Sequence, residues 1–195
     1  MTDLWDSAAP ELLRHSLESY DDVVARQGVS RLPDLDRWYR EELPRTIVTR
    51  RPAHVTLPEL VRLTEWKMAR GVWRARNLVL VRSNEPDAVV ETSTDALSRV
   101  PHPTRPIAVL ATLKGVGPAT ASAVAAAFAP ELYPFFDELV AAQLPELGKV
   151  AWTLGYYTRY AAALRDRAEQ LGHGWTPVML ERALWAHVGG KAGAA

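Results

Sequence analysis

The run from Leu113 to Asp137, LKGVGPATASAVAAAFAPELYPFFD, constrains the fold more than any other stretch of the chain. A Gly-Val-Gly turn leads straight into Pro118 and then into Ala, Ser and Val with few bulky groups. Glycine admits positive φ and close backbone approach, and proline is favoured in the first turn of a helix. The segment therefore predicts a helix over 107–113, a tight turn, and a second helix over 118–128. Ala121, Ala123 and Ala125 let the two pack closely, and Val116 is expected to point back into the core. Main-chain amides of the turn and of the second helix then face outward at the positive end of a helix dipole, an arrangement that holds a phosphate without reading sequence. Thr120 is placed to satisfy a backbone group. Asp137 follows one loop later as a lone carboxylate.

The remaining chain reads as helix throughout. Apolar residues spaced by three and four predict a helix over 10–27, stopped by Gly28. A short helix is expected after Pro33 and ends at Pro44. Thr56-Leu57-Pro58-Glu59 has the form of a helix start, with Thr as N-cap and Pro early in the first turn, and that helix reaches Gly71. LVLVRSN (78–84) has a strand-like run but no partner of similar character, so it is assigned to a buried helix. Further helices are predicted over 85–98, from 137 to 144, over 148–170 with a break near Gly155, and from Thr176-Pro177 to His187. Residues 101–106 read as a loop, and 189–195 as a frayed end. The prediction is one all-α domain over 1–195, with 1–55 and 148–195 packing as one lobe and 56–147, which carries the hairpin at 107–128, as the other.

Composition excludes several chemistries. The 195 residues include no cysteine, which removes disulfides, cysteine-ligated zinc and iron–sulfur clusters. His15, His54, His102, His173 and His187 show no metal-ligand spacing, so no metal is expected. No segment reaches the length of a membrane span. The early acids of MTDLWDSAAPELL do not resemble a signal region, so a cytoplasmic protein is expected. Formal net charge is zero, yet Met1–Pro44 holds ten acids against five arginines, while Arg45–Arg82 holds nine basic residues against Glu59 and Glu65. That basic middle is either an electrostatic footprint for nucleic acid or a set of solvated helix faces.

Leu110, Leu113, Gly115, Val116, Gly117, Thr120, Ala121 and Val124 together form a pattern that resembles the hairpin of the helix–hairpin–helix DNA glycosylase superfamily, which includes endonuclease III, the adenine glycosylase and the alkyladenine glycosylases. The resemblance covers residues 107–140. It implies a two-lobed helical glycosylase-like fold, and a partner that is double-stranded DNA with a damaged or flipped base. It also implies backbone contacts from Lys114, Gly115, Val116, Gly117, Ala119 and Thr120, a monovalent cation at the hairpin, and an essential aspartate at Asp137. A monomer is expected. The bifunctional branch of the superfamily carries a Schiff-base lysine where this chain has Ala119, and only some branches carry an iron–sulfur cluster. The residues therefore resemble a monofunctional branch without lyase activity, or a relative that has lost catalysis.

Hydrolysis of an N-glycosidic bond develops positive charge on the deoxyribose, which a buried carboxylate can stabilise. Asp137 suits that role, with Glu138 the weaker alternative; Asp137 is also a favoured helix N-cap, and the two roles can coexist. Extruding a base needs a wedge and an aromatic or apolar pocket. Residues 63–77 interleave Trp66 and Trp73 with Lys67, Arg70, Arg74 and Arg76, and are the candidate for base and backbone contacts, with core packing and ordinary surface charge as the alternatives. Trp152, Tyr156, Tyr157, Tyr160, Trp175 and Trp185 are assigned to packing. Three functions remain open on these residues: a monofunctional DNA glycosylase, a catalytically inactive DNA-binding protein on the same scaffold, and a scaffold module whose hairpin packs on another protein.

Overall fold

A computed structural model describes residues 4–5, 10–172 and 174–193; His173 and the last two residues lie outside it. Among the described residues there is no strand, and no helix is long and apolar enough to cross a membrane. The α-helices are α1 (Pro10–Glu18), α2 (Tyr20–Ala25), α3 (Leu32–Arg37), α4 (Leu43–Thr49), α5 (Leu57–Arg70), α6 (Ala75–Arg82), α7 (Pro86–Ser98), α8 (Arg105–Leu110), α9 (Pro118–Phe128), α10 (Glu138–Ala141), α11 (Leu154–Leu171), α12 (Pro177–His187) and α13 (Gly190–Gly193).

The strongest local signals produce the best-defined ends. Thr56 caps α5 with a capping box, in which the carboxylate of Glu59 accepts from the Thr56 N–H at 2.8 Å. The same carboxylate takes both Arg50 Nη1 and Nη2, at 2.7 and 2.8 Å, so the helix start is tied to the end of α4. Thr176 caps α12 by accepting from the Met179 N–H at 3.1 Å.

Elsewhere the periodicity misleads. The predicted helix over 10–27 is two helices that meet at Ser19. Pro44 does not end the following segment: a π-helical turn over Trp38–Glu42 resets the hydrogen-bond register, and Pro44 then falls in the first turn of α4, where its missing N–H has no cost. The helix expected from Gly148 starts only at Leu154, because Thr153 caps it with a bond from Tyr156 N at 3.1 Å and the residues before it are irregular. LVLVRSN is helical but lies on the surface, with Leu78 and Val81 buried and Val79 exposed. The helix after Asp137 is a single turn. The C-terminal glycines, expected to fray, close into α13, where Gln27 donates to the Gly189 carbonyl and accepts from the Ala192 N–H, both at 2.9 Å.

One buried apolar cluster runs through the described chain. Helix α12 packs across α1, α2 and α11, while α5 packs on α6 and α9, and α7 and α8 pair with each other. Residues 32–49, expected in the same lobe as the termini, lean on both groups: α3 contacts α2 and α5, and α4 contacts α9. The result places the hairpin α8–α9, the C-terminal end of α5 and the N-terminal end of α10 around one cavity.

Candidate active site

The hairpin is held from outside by α6. Asn84, just past its end, donates from Nδ2 to the Lys114 carbonyl at 3.0 Å and accepts the Lys114 N–H at 2.9 Å, a two-point clamp. Gly115 has φ +74°, and a Cβ there would lie 2.7 Å from the Asn77 carbonyl oxygen and 2.9 Å from the Val81 nitrogen, so only glycine fits. Gly117 differs from the expectation of a conformational role. Its φ of −101° and ψ of −178° are ordinary extended backbone, and nothing lies within 4 Å of where a Cβ would be. Gly117 instead provides a helix N-cap without a side chain. The first intrahelical bond of α9 is Ala121 N–H to the Gly117 carbonyl at 3.0 Å, so the N–H groups of Ala119 and Thr120 have no partner inside the helix, and Gly117, Ala119 and Thr120 line the cavity.

Two hairpin residues do not reach that cavity. Val116 is buried, as expected of its side chain, and its N–H is spent on the Leu113 carbonyl at 3.1 Å, so it is not free for a phosphate. Lys114 is exposed on the far side of the turn, with Nζ 3.4 Å from the Ser83 carbonyl. The cation implied by the family resemblance would need hairpin carbonyls. Those of Leu113 and Lys114 already accept hydrogen bonds, and no donor set singles out a cation site. Among the described residues no group of three or more His, Asp or Glu is placed to hold a metal ion.

Asp137 owes its position to the irregular segment before it, which is pinned almost residue by residue. The hydroxyls of Tyr133, Tyr157 and Tyr160 donate to the carbonyls of His102, Pro134 and Phe135, at 2.8, 3.2 and 2.8 Å. Ser122 on α9 accepts the Phe136 N–H at 2.9 Å, and the Phe136 ring sits among Trp152, Tyr156, Tyr157 and Tyr160. Asp137 itself is 7% exposed. Its Oδ1 caps α10, accepting from Leu139 N at 2.8 Å and Val140 N at 3.4 Å. Its Oδ2 lies 3.6 Å from Arg70 Nε, within ion-pair range but beyond a hydrogen bond. One oxygen is thus structural, while the other makes no hydrogen bond among the described residues, and Asp137 is one of the residues that line the cavity.

Behind Asp137 lies a buried charge cluster that the sequence did not reveal. Arg70, the last residue of α5 and 2% exposed, forms an ion pair through Nη2 with Glu181 of α12, which is 1% exposed. The guanidinium packs 4.5 Å from the Trp185 ring centroid and 5.3 Å from that of Phe135, and its Nε has no hydrogen-bond partner among the described residues. Burial pushes the Glu181 carboxyl up to about 7, with Arg70 pulling it down and Asp137 adding to the rise. Arg70 stays cationic, held above its ordinary value by Glu181 despite the burial.

The cavity these groups share has a volume of about 520 Å³, within the range of small-ligand sites. Phe135 and Phe136 contribute apolar surface, and Gly117–Thr120 and Asp137–Leu139 line one side. Lys67, Gly71, Val72 and Arg74 line it from the α5–α6 connection, joined by Trp152 and Lys191. Burial lowers the Lys67 ammonium to about 8, helped by Arg74 and opposed by Asp137.

The residues expected to touch DNA separate into distinct environments. Lys67 and Arg74 line the cavity. Arg70 also lines it, but it is 2% exposed and held in ion pairs, so its guanidinium is not free for a phosphate. Trp66 is also corrected: it is fully buried, stacked on Tyr39 at 3.6 Å, with Nε1 donating to Asp36 at 2.9 Å. Trp73 is exposed but turned to a separate depression, under the Arg31 guanidinium at 4.5 Å. Conversely, Trp152, assigned to packing, is 43% exposed at the cavity. It was hidden by reading 148–170 as one helix; Thr153 as a cap would have placed Trp152 outside it. Glu181 carried a signal too, since it shares a helical face with the apolar Leu184 and Trp185.

The basic stretch from Arg45 to Arg82 also shrinks as a footprint. Arg50 is paired with Glu59, Arg82 with Glu65, and Arg70 with Glu181. No protein-family model, curated protein or solved structure matches the chain.

Proposed function

We propose that the chain is a DNA N-glycosylase that hydrolyses the bond between a damaged base and its deoxyribose, with Asp137 as the central catalytic group. The observation that carries this reading is that a carboxylate with one oxygen held in place and a helix N-terminus without a side-chain cap line one cavity of about 520 Å³. The free N–H groups of Ala119 and Thr120, at the positive end of α9, suit a backbone phosphate. Arg74 adds charge, and Phe135 and Trp152 supply surfaces for an extruded base.

Chemistry follows from the two oxygens of Asp137. With Oδ1 fixed by the α10 amides, Oδ2 sits without reorganisation beside the sugar, where positive charge develops as the base leaves. It also orients water toward the anomeric carbon. Ala119 leaves the second helix of the hairpin without an amine, so base removal on this reading is hydrolytic.

The cap bonds favour one rival: a DNA-binding protein in which Asp137 serves α10 alone and no bond is cut. Incubation with duplexes carrying uracil, 8-oxoguanine, alkylated purines or mismatched adenine, followed by alkali, separates the two. Release by the wild type and not by Asp137→Asn supports the glycosylase, since asparagine keeps the cap. Binding without release by the wild type supports the rival.

A further inference from the structure

Lys67 lines the cavity and has no part in the hydrolytic reading. It projects from the last turn of α5 into the same space as Asp137 and Ala119. It is only partly exposed, and among the described residues no carboxylate lies within salt-bridge distance of its Nζ. Lys191, the other lysine at the cavity, is engaged, with Nζ donating to the Gly71 carbonyl at 3.1 Å. The amine of Lys67 is thus the one left free to react.

We infer that Lys67 is a nucleophilic amine that captures the aldehyde of an abasic deoxyribose as an imine, taking from α5 the role that the hairpin cannot fill at Ala119. This rests on the reading of the cavity as a DNA site, and it replaces the expectation that the protein has no lyase step. Once the base has gone, the sugar ring opens to an aldehyde at C1′. The Lys67 Nζ lone pair adds to that carbon, the carbonyl oxygen leaves as water after proton transfer, and a protonated imine remains. The C2′ proton, made acidic by the imine, passes to Asp137 Oδ2. The electrons released then expel the 3′-phosphate oxygen from C3′, which breaks the strand. Water finally hydrolyses the imine and returns the amine.

The surroundings favour an amine over an ammonium. Arg70 and Arg74 are cationic neighbours, Lys191 adds a third positive charge at the cavity, and Asp137 and Glu138 oppose them. With burial, the balance lowers Lys67 to about 8, so a usable fraction is unprotonated near neutrality. A lysine on a solvated face would hold its proton about two pH units higher.

The test is reductive trapping. The full-length protein is mixed with a duplex containing a single abasic deoxyribose and sodium cyanoborohydride, and the adduct is read on a denaturing gel and located by peptide mass mapping. The expected result is an adduct on Lys67, formed faster as pH rises toward about 8 and lost in both Lys67→Arg and Lys67→Gln. Mapping on the wild type needs no variant to fold, and duplex binding by each variant is measured alongside. An adduct at Lys114, Lys149, Lys191 or the α-amine, or no adduct despite wild-type binding and base release, overturns the inference and leaves the glycosylase reading standing. A wild type that neither binds the duplex nor forms an adduct overturns both.

Discussion

The two sides of the cavity are built by opposite means. The side carrying Asp137 is a short irregular segment whose carbonyls and amide are taken by two tyrosine hydroxyls and a serine, and whose own Tyr133 hydroxyl donates outward to the His102 carbonyl, under a packed aromatic cluster. The α5–α6 connection across from it, which carries Arg74, is surface. Val72 and Trp73 are 50% and 46% exposed, and the connection is held by single contacts such as Arg74 N–H to Met68 Sδ at 3.3 Å and Lys191 to Gly71. On the proposed reading, the carboxylate's chemistry belongs on the first, and the exposed wall suits a bulky, variable duplex. The difference teaches that position, and not residue type alone, separates Asp137 from the other acids of the chain.

Substitutions on each side test that contrast. The largest effect is expected from Asp137→Asn, which keeps the cap but removes the charge; base release should fall by about 10²–10³-fold in a single-turnover assay, with the urea midpoint little changed. A variant that retains full rate would assign Asp137 to the cap alone. Next is Gly115→Ala, which forces a left-handed φ and a Cβ into the Asn77 carbonyl. It should cost about 1–3 kcal/mol in denaturant unfolding, and base release should fall even where the protein remains folded. If activity survives intact, the hairpin is not part of the site.

Glu181→Gln should flatten the pH dependence of stability, and above the titration window it leaves Arg70 without its charged partner. In the folded protein the Glu181 carboxyl is raised to about 7, above its ordinary value of 4.5. The unfolded chain therefore releases its proton first, and the wild type loses stability as pH rises from about 4.5 through 7. Below that window the contribution is complete. The glutamine variant should show a flatter urea midpoint between pH 5 and 8, and an unchanged slope would place the titration elsewhere. The smallest effect is expected on the loose side: Arg74→Ala should weaken duplex binding uniformly across sequences and reduce the salt slope by about 1, without changing single-turnover rate at saturating protein. A rate loss there would mean that this side is as organised as the other.

The same contrast governs what could be read from the chain. Helices whose ends are set by neighbours in sequence were legible: the Thr56–Glu59 capping box, Pro118 to Phe128 and Thr176-Pro177 all fall where local chemistry puts them. The all-helical class rests on these. An aspartate ahead of the run Glu138 to Ala142 marks a helix start, and the Asp137 carboxylate does cap α10. Its surroundings were not legible, because Arg70 and Glu181 are 111 positions apart and meet only through the packing of α5 and α12. Trp66 and Trp152 differ from expectation in exposure for a related reason: Trp66 is fully buried, while Trp152 packs on Phe136 yet stays 43% exposed at the cavity. Aromatic residues suit cores and binding surfaces alike, and only the Asp36 and Tyr39 contacts on one, and the late start of α11 on the other, decide between them.

The segment before Asp137 has a practical corollary. Its anchors are hydroxyl groups, each of which can be deleted as a lone oxygen by Tyr→Phe or Ser→Ala while the carbon framework around it stays whole. Stripping them singly and in combination would loosen the carboxylate by degrees without reshaping the space it faces. On the proposed reading, positional order then becomes a quantity that can be varied by itself and set against both reaction rate and the retention of DNA.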